Sequence, residues 1–296
     1  MGVIYECVPN VSEGRDRAAI DALATACGGP LLDVHSDPDH HRSVFTLADH
    51  DPAVVEEAMQ ALAAAAVARL DIGTHTGVHP RLGVLDVVPF VALGGGSGDR
   101  EVAAGFARRF ADWAGTELDL PCFLYGDVDT LGRTLPAVRR EAFSARWPDH
   151  GPMGPHPTAG AVAVGARPPL IALNCVLDVD DLAVARRIAS EVRGRDGGLE
   201  GVRALGLRLP STGEIQVSMN LVDLPVTGLL AASDAVEQSA RAAGADVVAV
   251  EFVGLVPAAE FERCPPAWRE QHALTRDQTV EDRLDARDRP GWTVRG

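Results

Sequence analysis

Two histidines, an arginine and an aspartate crowd into "HTGVHPRLGVLD", residues 75–86. The spacing of His75 and His79 imitates the i, i+4 pair of a zinc-binding helix. Gly77 and Pro80 argue against a helix there, and no glutamate follows His75. What remains is a loop histidine between Arg81 and Asp86 and a preceding helix, a junction where scaffolds mount chemistry. The alternatives are a metal site on this pair or a loop histidine bonded to backbone.

A second dense stretch is "HSDPDHHR", residues 35–42, with three histidines, two aspartates and Arg42 directly after an apolar run. It allows a metal centre, a site for an organic ligand, or a solvated turn between strands. The organic-ligand site is the reading preferred to metal. "LGGGSGD" (93–99) precedes a helix, where backbone N–H groups can hold an anion, but it lacks the P-loop lysine and does not match G-x-G-x-x-G. It is expected to be a flexible connection. "VPNVSEG" (8–14) offers Asn10, Ser12 and Glu13 at a strand end. No G-x-S-x-G elbow supports a serine hydrolase.

The composition narrows the chemistry further. All 27 basic residues of the 296 are arginine. Without lysine there is no Schiff-base chemistry and no Walker A loop. An anionic substrate must be gripped by Arg, backbone N–H groups or hydroxyls. The formal net charge of −15 excludes a basic nucleic-acid surface and requires any positive charge to be local. Neither a signal peptide nor a membrane span is expected, and Cys7, Cys27, Cys122, Cys175 and Cys264 show no CxxC spacing. Reduced core thiols in a cytoplasmic protein follow.

The elements that must position these residues alternate. Strands are expected at 3–8, 31–35, 43–48 and 84–93, with helices at 15–27 and 52–70. Asp51 is the expected N-cap of the second helix, with Pro52 in its first turn. The order β-α-β-β-α-β recurs with strands at 170–179, 202–209, 214–222 and 245–256 and helices at 181–194 and 226–243. Between the halves lie a helix at 99–115, a strand at 122–126 and the Pro/Gly-rich "WPDHGPMGPHPTAG" (147–160), a functional loop or a linker. The charged tail from about 275 reads as a frayed helix or an extension. The expected fold is therefore α+β, with two ferredoxin-like subdomains in tandem, 1–168 and 169–296.

"ECVPNVSEGR", "LLDVHSDPDHHRSVFTL", "HTGVHPRLGVLDVVPF", "GAVAVGAR", "QVSMNLVD" and "VGLVP" occur in the order found in the formiminotransferase family, and the chain resembles it over residues 3 to 260. The resemblance implies a homodimer with the active-site cleft between the two subdomains. It also implies transfer of a formimino group from N-formimino-L-glutamate to N5 of tetrahydrofolate, a co-substrate, with no metal. By position, the family's catalytic histidine is His79. Its folate-contacting loop is Gly151, Pro152, Met153, Gly154, Pro155, His156, Pro157, Thr158, Ala159 and Gly160. Arg42 and Arg81 are expected to clamp substrate carboxylates, unless they only pair with Asp39 or Asp86. Asn10 and Asp39 are further substrate-binding candidates, and Asp33, Asp37 or Asp39 would orient His79 or hold the cationic amidine. The sequence departs from the family at Val11 (usually Phe), at His41 (usually Asn) and at Ala159 (Trp in animal enzymes). Three rivals remain open: another donor (N-formylglutamate or N-formiminoglycine), a metal-dependent amidohydrolase using His35, His40, His41 and His79, and a folate-binding protein without turnover.

Overall fold

The computed structural model describes residues 2–77 and 80–296. Val78 and His79 lie outside the described residues, and with them the expected catalytic histidine. The chain divides into two units: one runs to Arg167 and includes Arg287–Gly296, and the other is Pro168–Ala286.

In the first unit the chain runs β1 (Ile4–Cys7), β2 (Asn10–Val11), α1 (Arg17–Cys27), β3 (Leu31–Asp37), β4 (Arg42–Asp49), α2 (Pro52–Arg69) and β5 (Leu85–Leu93). It continues through α3 (Ser97–Glu117), β6 (Cys122–Gly126), α4 (Leu135–Glu141) and β7 (Val162–Ala166). The strands β1 and β2 lie between β4 and β5, antiparallel to both, and β3 pairs with the outer edge of β4. Beyond β5 the sheet turns parallel, with β7 against β5 and β6 against β7.

Local chemistry explains the helices. The Asp16 carboxylate caps α1 by accepting the Ala18 and Ala19 N–H groups, and Asp51 caps α2 ahead of Pro52. Ile20, Leu23, Met59, Leu62 and Phe110 bury one face of the sheet together with Phe45, Val88, Phe90 and Val164. Alternate strand residues face the other way. There Val87, Phe123, Tyr125 and Ala163 meet Val138 of α4 in a second, smaller core. The sheet is thus apolar on both faces around β5, β6 and β7.

The second unit holds β8 (Ile171–Leu177), α5 (Leu182–Val192), β9 (Val202–Arg208), β10 (Ile215–Leu221), α6 (Leu229–Ala242) and β11 (Val247–Val253). Its four strands are all antiparallel in the order β11-β8-β10-β9. Ile188, Val192, Leu229 and Val236 of the two helices pack on Leu173, Cys175, Val217 and Met219. Three short helices follow, α7 (Ala258–Arg263), α8 (Pro266–Gln271) and α9 (Val280–Ala286).

The β-α-β-β-α-β order is present in both units. Two expectations are corrected. "GAVAVGAR" was assigned no element, yet β7 within it is a fully buried strand, because an Ala/Gly/Val run without alternation gives no period-2 signal. The tail is not frayed: Gln278, Thr279 and Val280 are buried. The Val256 N–H donates to the Gln278 carbonyl and the Val280 N–H to the Val256 carbonyl. The last ten residues belong to the first unit. Arg287 bridges Asp49 at 2.8 Å, and the Val34 N–H donates to the Arg295 carbonyl at 2.7 Å. The charged composition pointed to solvent, whereas Arg276 and Arg287 have acidic partners in the fold.

All five cysteines are buried and unpaired, and burial pushes the Cys7, Cys27, Cys122 and Cys175 thiols above their ordinary value. Among the described residues no helix is long and apolar enough to cross a membrane.

The 147–160 stretch is built into the first unit. Cys122 bonds back to His150, and Gly83 pairs with Gly160. At Gly83 a Cβ would lie 2.1 Å from the Ala159 carbonyl oxygen and 2.4 Å from that of Ala161. Gly83→Ala is expected to lower unfolding free energy by roughly 1–3 kcal/mol, read as a shifted urea midpoint. An unchanged midpoint would mean that the loop does not rest on this strand entrance.

Candidate active site

The site grows from an irregularity in β5. Asn10 lies opposite Val87 and Val11 opposite Leu85, so Asp86 is the extra residue of a β-bulge. Bulges re-aim a side chain, and this one buries the Asp86 carboxylate completely. Its Oδ1 accepts the Leu82 N–H at 2.8 Å. Its Oδ2 accepts Nη2 of Arg42 at 2.7 Å and Nη2 of Arg139 from α4. Burial alone would raise this carboxyl, but Arg42, Arg139 and the Leu82 N–H outweigh it and hold the group below the usual carboxylate range. Arg42 also donates from Nε to Asn10 Oδ1 at 2.7 Å, and Asn10 Nδ2 donates to the Val8 carbonyl at 3.1 Å. Burial depresses the Arg42 guanidinium, Asp86 opposes that, and Arg139 and Arg81 push it lower still.

The turn between β3 and β4 supplies the second wall. Asp37 Oδ1 accepts the N–H groups of Asp39 and His40, while its Oδ2 stands 2.6 Å from His40 Nδ1. His41 has a left-handed backbone, φ 50°. Its ring nitrogens face the Thr76 carbonyl and the Glu13 carboxylate, each at 3.0 Å. Glu13 also accepts the Arg15 and Asp16 N–H groups. Those two N–H groups and His41 outweigh its burial and lower its pKa.

The His75 ring stacks on His41, centroids 3.9 Å apart, and its Nε2–H donates to the His41 carbonyl at 2.8 Å. That leaves Nδ1 to accept from Arg81, whose other Nη donates to the Gly77 carbonyl at 3.0 Å. Gly77 is required by crowding, since a Cβ would lie 2.8 Å from the His40 carbonyl oxygen. The chain on both sides of Val78 and His79 is therefore tied down, at Gly77 and at Arg81.

The 151–160 loop closes the region. Gly151, φ 80°, packs on Gly115 of α3. His156 and Gly160 exchange backbone hydrogen bonds of 2.7 and 3.0 Å, and His156 Nδ1 accepts the Ala159 N–H at 2.9 Å. The Ile72 N–H donates to the Thr158 carbonyl and the Val84 N–H to that of Ala159. The loop's second half is thereby seated against 72–84, while Pro152 to Pro155 are exposed.

Against this geometry, residues 4–167 match the family described as "Formiminotransferase domain, N-terminal subdomain", and residues 172–279 match "Formiminotransferase domain". The chain is 40% identical over 87% of its length to a glutamate formimidoyltransferase of Streptococcus pyogenes serotype M1, covering 90% of that protein. It is 37% identical over 86% of its length to one of Thermoplasma acidophilum, covering 88% of it. It is also 39% identical over 87% of its length to the formimidoyltransferase-cyclodeaminase of Sus scrofa, spanning 51% of that longer protein. The chain belongs to the formiminotransferase family.

His41 occupies a left-handed position, where Asn, Asp and His are the non-glycine residues best tolerated. Ala159 and Val11 are fully buried, so neither presents its side chain to solvent. Of the sequence candidates, the structure joins Asn10, Arg42 and Asp86 directly. It holds Arg81 on His75 and seats His156–Gly160 against Ile72, Gly83 and Val84. Arg42 thus has the pairing with Asp86 that was its structural alternative. Asp39 sits in the β3–β4 turn, and Asp33 is buried in β3 beside Arg295. Among the described residues no group of three or more His, Cys, Asp or Glu side chains is placed to hold a metal ion.

Arg139 was missed. It lies 53 residues from its partner Asp86 in a helix that carries no motif, and only the fold brings the two together.

The Asp86 shift has a pH consequence. Its folded pKa lies below the unfolded value of about 3.9, so its stabilisation is fully present above that value and is lost as pH falls through the folded pKa. Acid titrations of the unfolding free energy are expected to lose part of their slope below about pH 4 in Asp86→Asn. An identical slope in the variant would remove Asp86 from the linkage.

Proposed function

We propose that the chain transfers the formimino group of N-formimino-L-glutamate to N5 of tetrahydrofolate, giving 5-formiminotetrahydrofolate and L-glutamate, a step of histidine degradation and one-carbon metabolism. The observation that carries this reading is the 40% identity covering nine-tenths of a protein named glutamate formimidoyltransferase. Each unit is read as ferredoxin-like: β5-β1-β4-β3 and β11-β8-β10-β9 share one strand order, and the first unit adds β2, α3, β6, α4 and β7. A cytoplasmic homodimer is the assembly the family suggests, and the unpaired buried thiols accord with a reducing compartment.

The chemistry asks for two things. N5 attacks the amidine carbon to form a tetrahedral intermediate. Collapse then breaks the bond to the glutamate nitrogen, which leaves once protonated. A single group that takes the N5 proton and delivers it to that nitrogen serves both steps, and His79 is assigned this role. Both substrates carry carboxylates, and the chain's net charge of −15 repels them at long range. Arg42 and Arg81, held near Asp86 and His75, supply local positive charge in their place. Gly151 to Gly160 is the loop proposed to meet the folate.

The experiment is a transfer assay with N-formimino-L-glutamate, N-formiminoglycine and N-formyl-L-glutamate, each with tetrahydrofolate, on the wild type and His79→Ala. Turnover with formiminoglutamate alone is expected. The variant should lose at least about 10²-fold in kcat while keeping its folate affinity. Turnover only with another donor would change the substrate, and parallel loss of kcat and folate affinity would make His79 a binding residue.

A further inference from the structure

The carboxylate of Asp86 is shared by more positive charge than it can neutralise. Arg42 and Arg139 donate to the same oxygen, and Leu82 occupies the other. Counted on this carboxylate alone, two guanidiniums exceed its charge by one, and Arg139 has no second ion-pair partner among the described residues. The Asp86 side chain is 0% exposed, those of Arg42 and Arg139 11% and 21%, so water does little to dissipate that excess. Arg139 Nε is buried and has no acceptor among the described residues. A guanidinium offers five N–H donors in a planar fork that fits a carboxylate. An excess positive charge with an unused buried donor, open to solvent only in part, is a site built for an anion.

Resting on the function proposed above, we infer that Arg139 is a substrate-binding residue that takes a glutamyl carboxylate, with Asp86 fixing its fork against Arg42. The carboxylate belongs either to the amino-acid donor or to the glutamyl tail of the folate. Position in the fold supports this. Arg139 lies near the end of α4, the helix that covers the second face of the sheet, and reaches the bulge from the side opposite α1, α2 and α3. Arg42 already pairs with Asp86 at 2.7 Å, so Arg139 brings positive charge beyond the one that the carboxylate matches while also supporting it.

The test uses Arg139→Gln and Arg139→Lys in the full chain. Lysine keeps the charge beside Asp86 and loses the fork, so it is read if the glutamine variant fails to fold. Calorimetry measures binding of L-glutamate, of 5-formyltetrahydrofolate, and of 5-formyltetrahydropteroate, which lacks the glutamyl tail. If the donor supplies the carboxylate, glutamate affinity falls roughly 10- to 100-fold and KM for formiminoglutamate rises with kcat little changed. If the folate supplies it, 5-formyltetrahydrofolate weakens by that factor while the pteroate analogue is unaffected. Unchanged affinities in a folded variant with a lowered Tm would make Arg139 purely structural and overturn the inference, as would a wild type that binds none of the three. Binding needs no turnover. A wild type that binds these ligands but transfers nothing contradicts the proposed reaction and leaves the Arg139 comparison readable.

Discussion

Everything around the candidate site answers to one buried negative charge. Removing a carboxylate from water costs several kcal/mol unless it is paired and hydrogen-bonded, and stripping one partner from a buried pair typically costs about 3–5 kcal/mol. Asp86 meets that demand by three routes that come from far apart in the chain: Arg42 at the start of β4, the Leu82 N–H just before β5, and Arg139 on α4. The bulge in β5 makes the arrangement possible, since a regular strand would place residue 86 in register with its neighbours. One charge thus fixes the entrance of β5, the start of β4 and the docking of α4.

The chain on either side of residues 78 and 79 takes its framing from this arrangement. Leu82 is bound to Asp86, Arg81 to His75, and His75 to the His41 carbonyl at the head of β4. The His41 ring in turn faces Glu13, whose carboxylate also holds the chain entering α1. Four separate segments are therefore joined by polar contacts near one end of β4 and β5. Rigid support of this kind is what group transfer between two bound substrates needs, because misplacement of about 1 Å costs on the order of 10²-fold in rate.

Much of the scaffold was legible in the sequence. Apolar runs on either side of a polar turn marked β3 and β4, and Asp51 with Pro52 marked the start of α2. The repeated element order emerged from these signals without any residue identity between the halves. Periodicity failed where strands are buried on both faces, as in β7, and where a helix is short, as in α4. The polar network was legible only as a list. Arg42, Asp86, His75 and Arg81 stood out by type, but which arginine meets which acid depends on sheet register and a single inserted residue. Arg139 gave no local signal, because its role comes from long-range placement alone.

The central claim is that one carbon moves intact from an amino acid to a folate nitrogen. Carbon-13 at the formimino position of N-formimino-L-glutamate, followed by NMR in the presence of tetrahydrofolate, follows that atom directly. The label is expected on the folate, shifting to the methenyl form on acidification, with unlabelled L-glutamate released in equal amount. Label released as formamide or formate, with the folate unmodified, would identify a hydrolase and contradict the account.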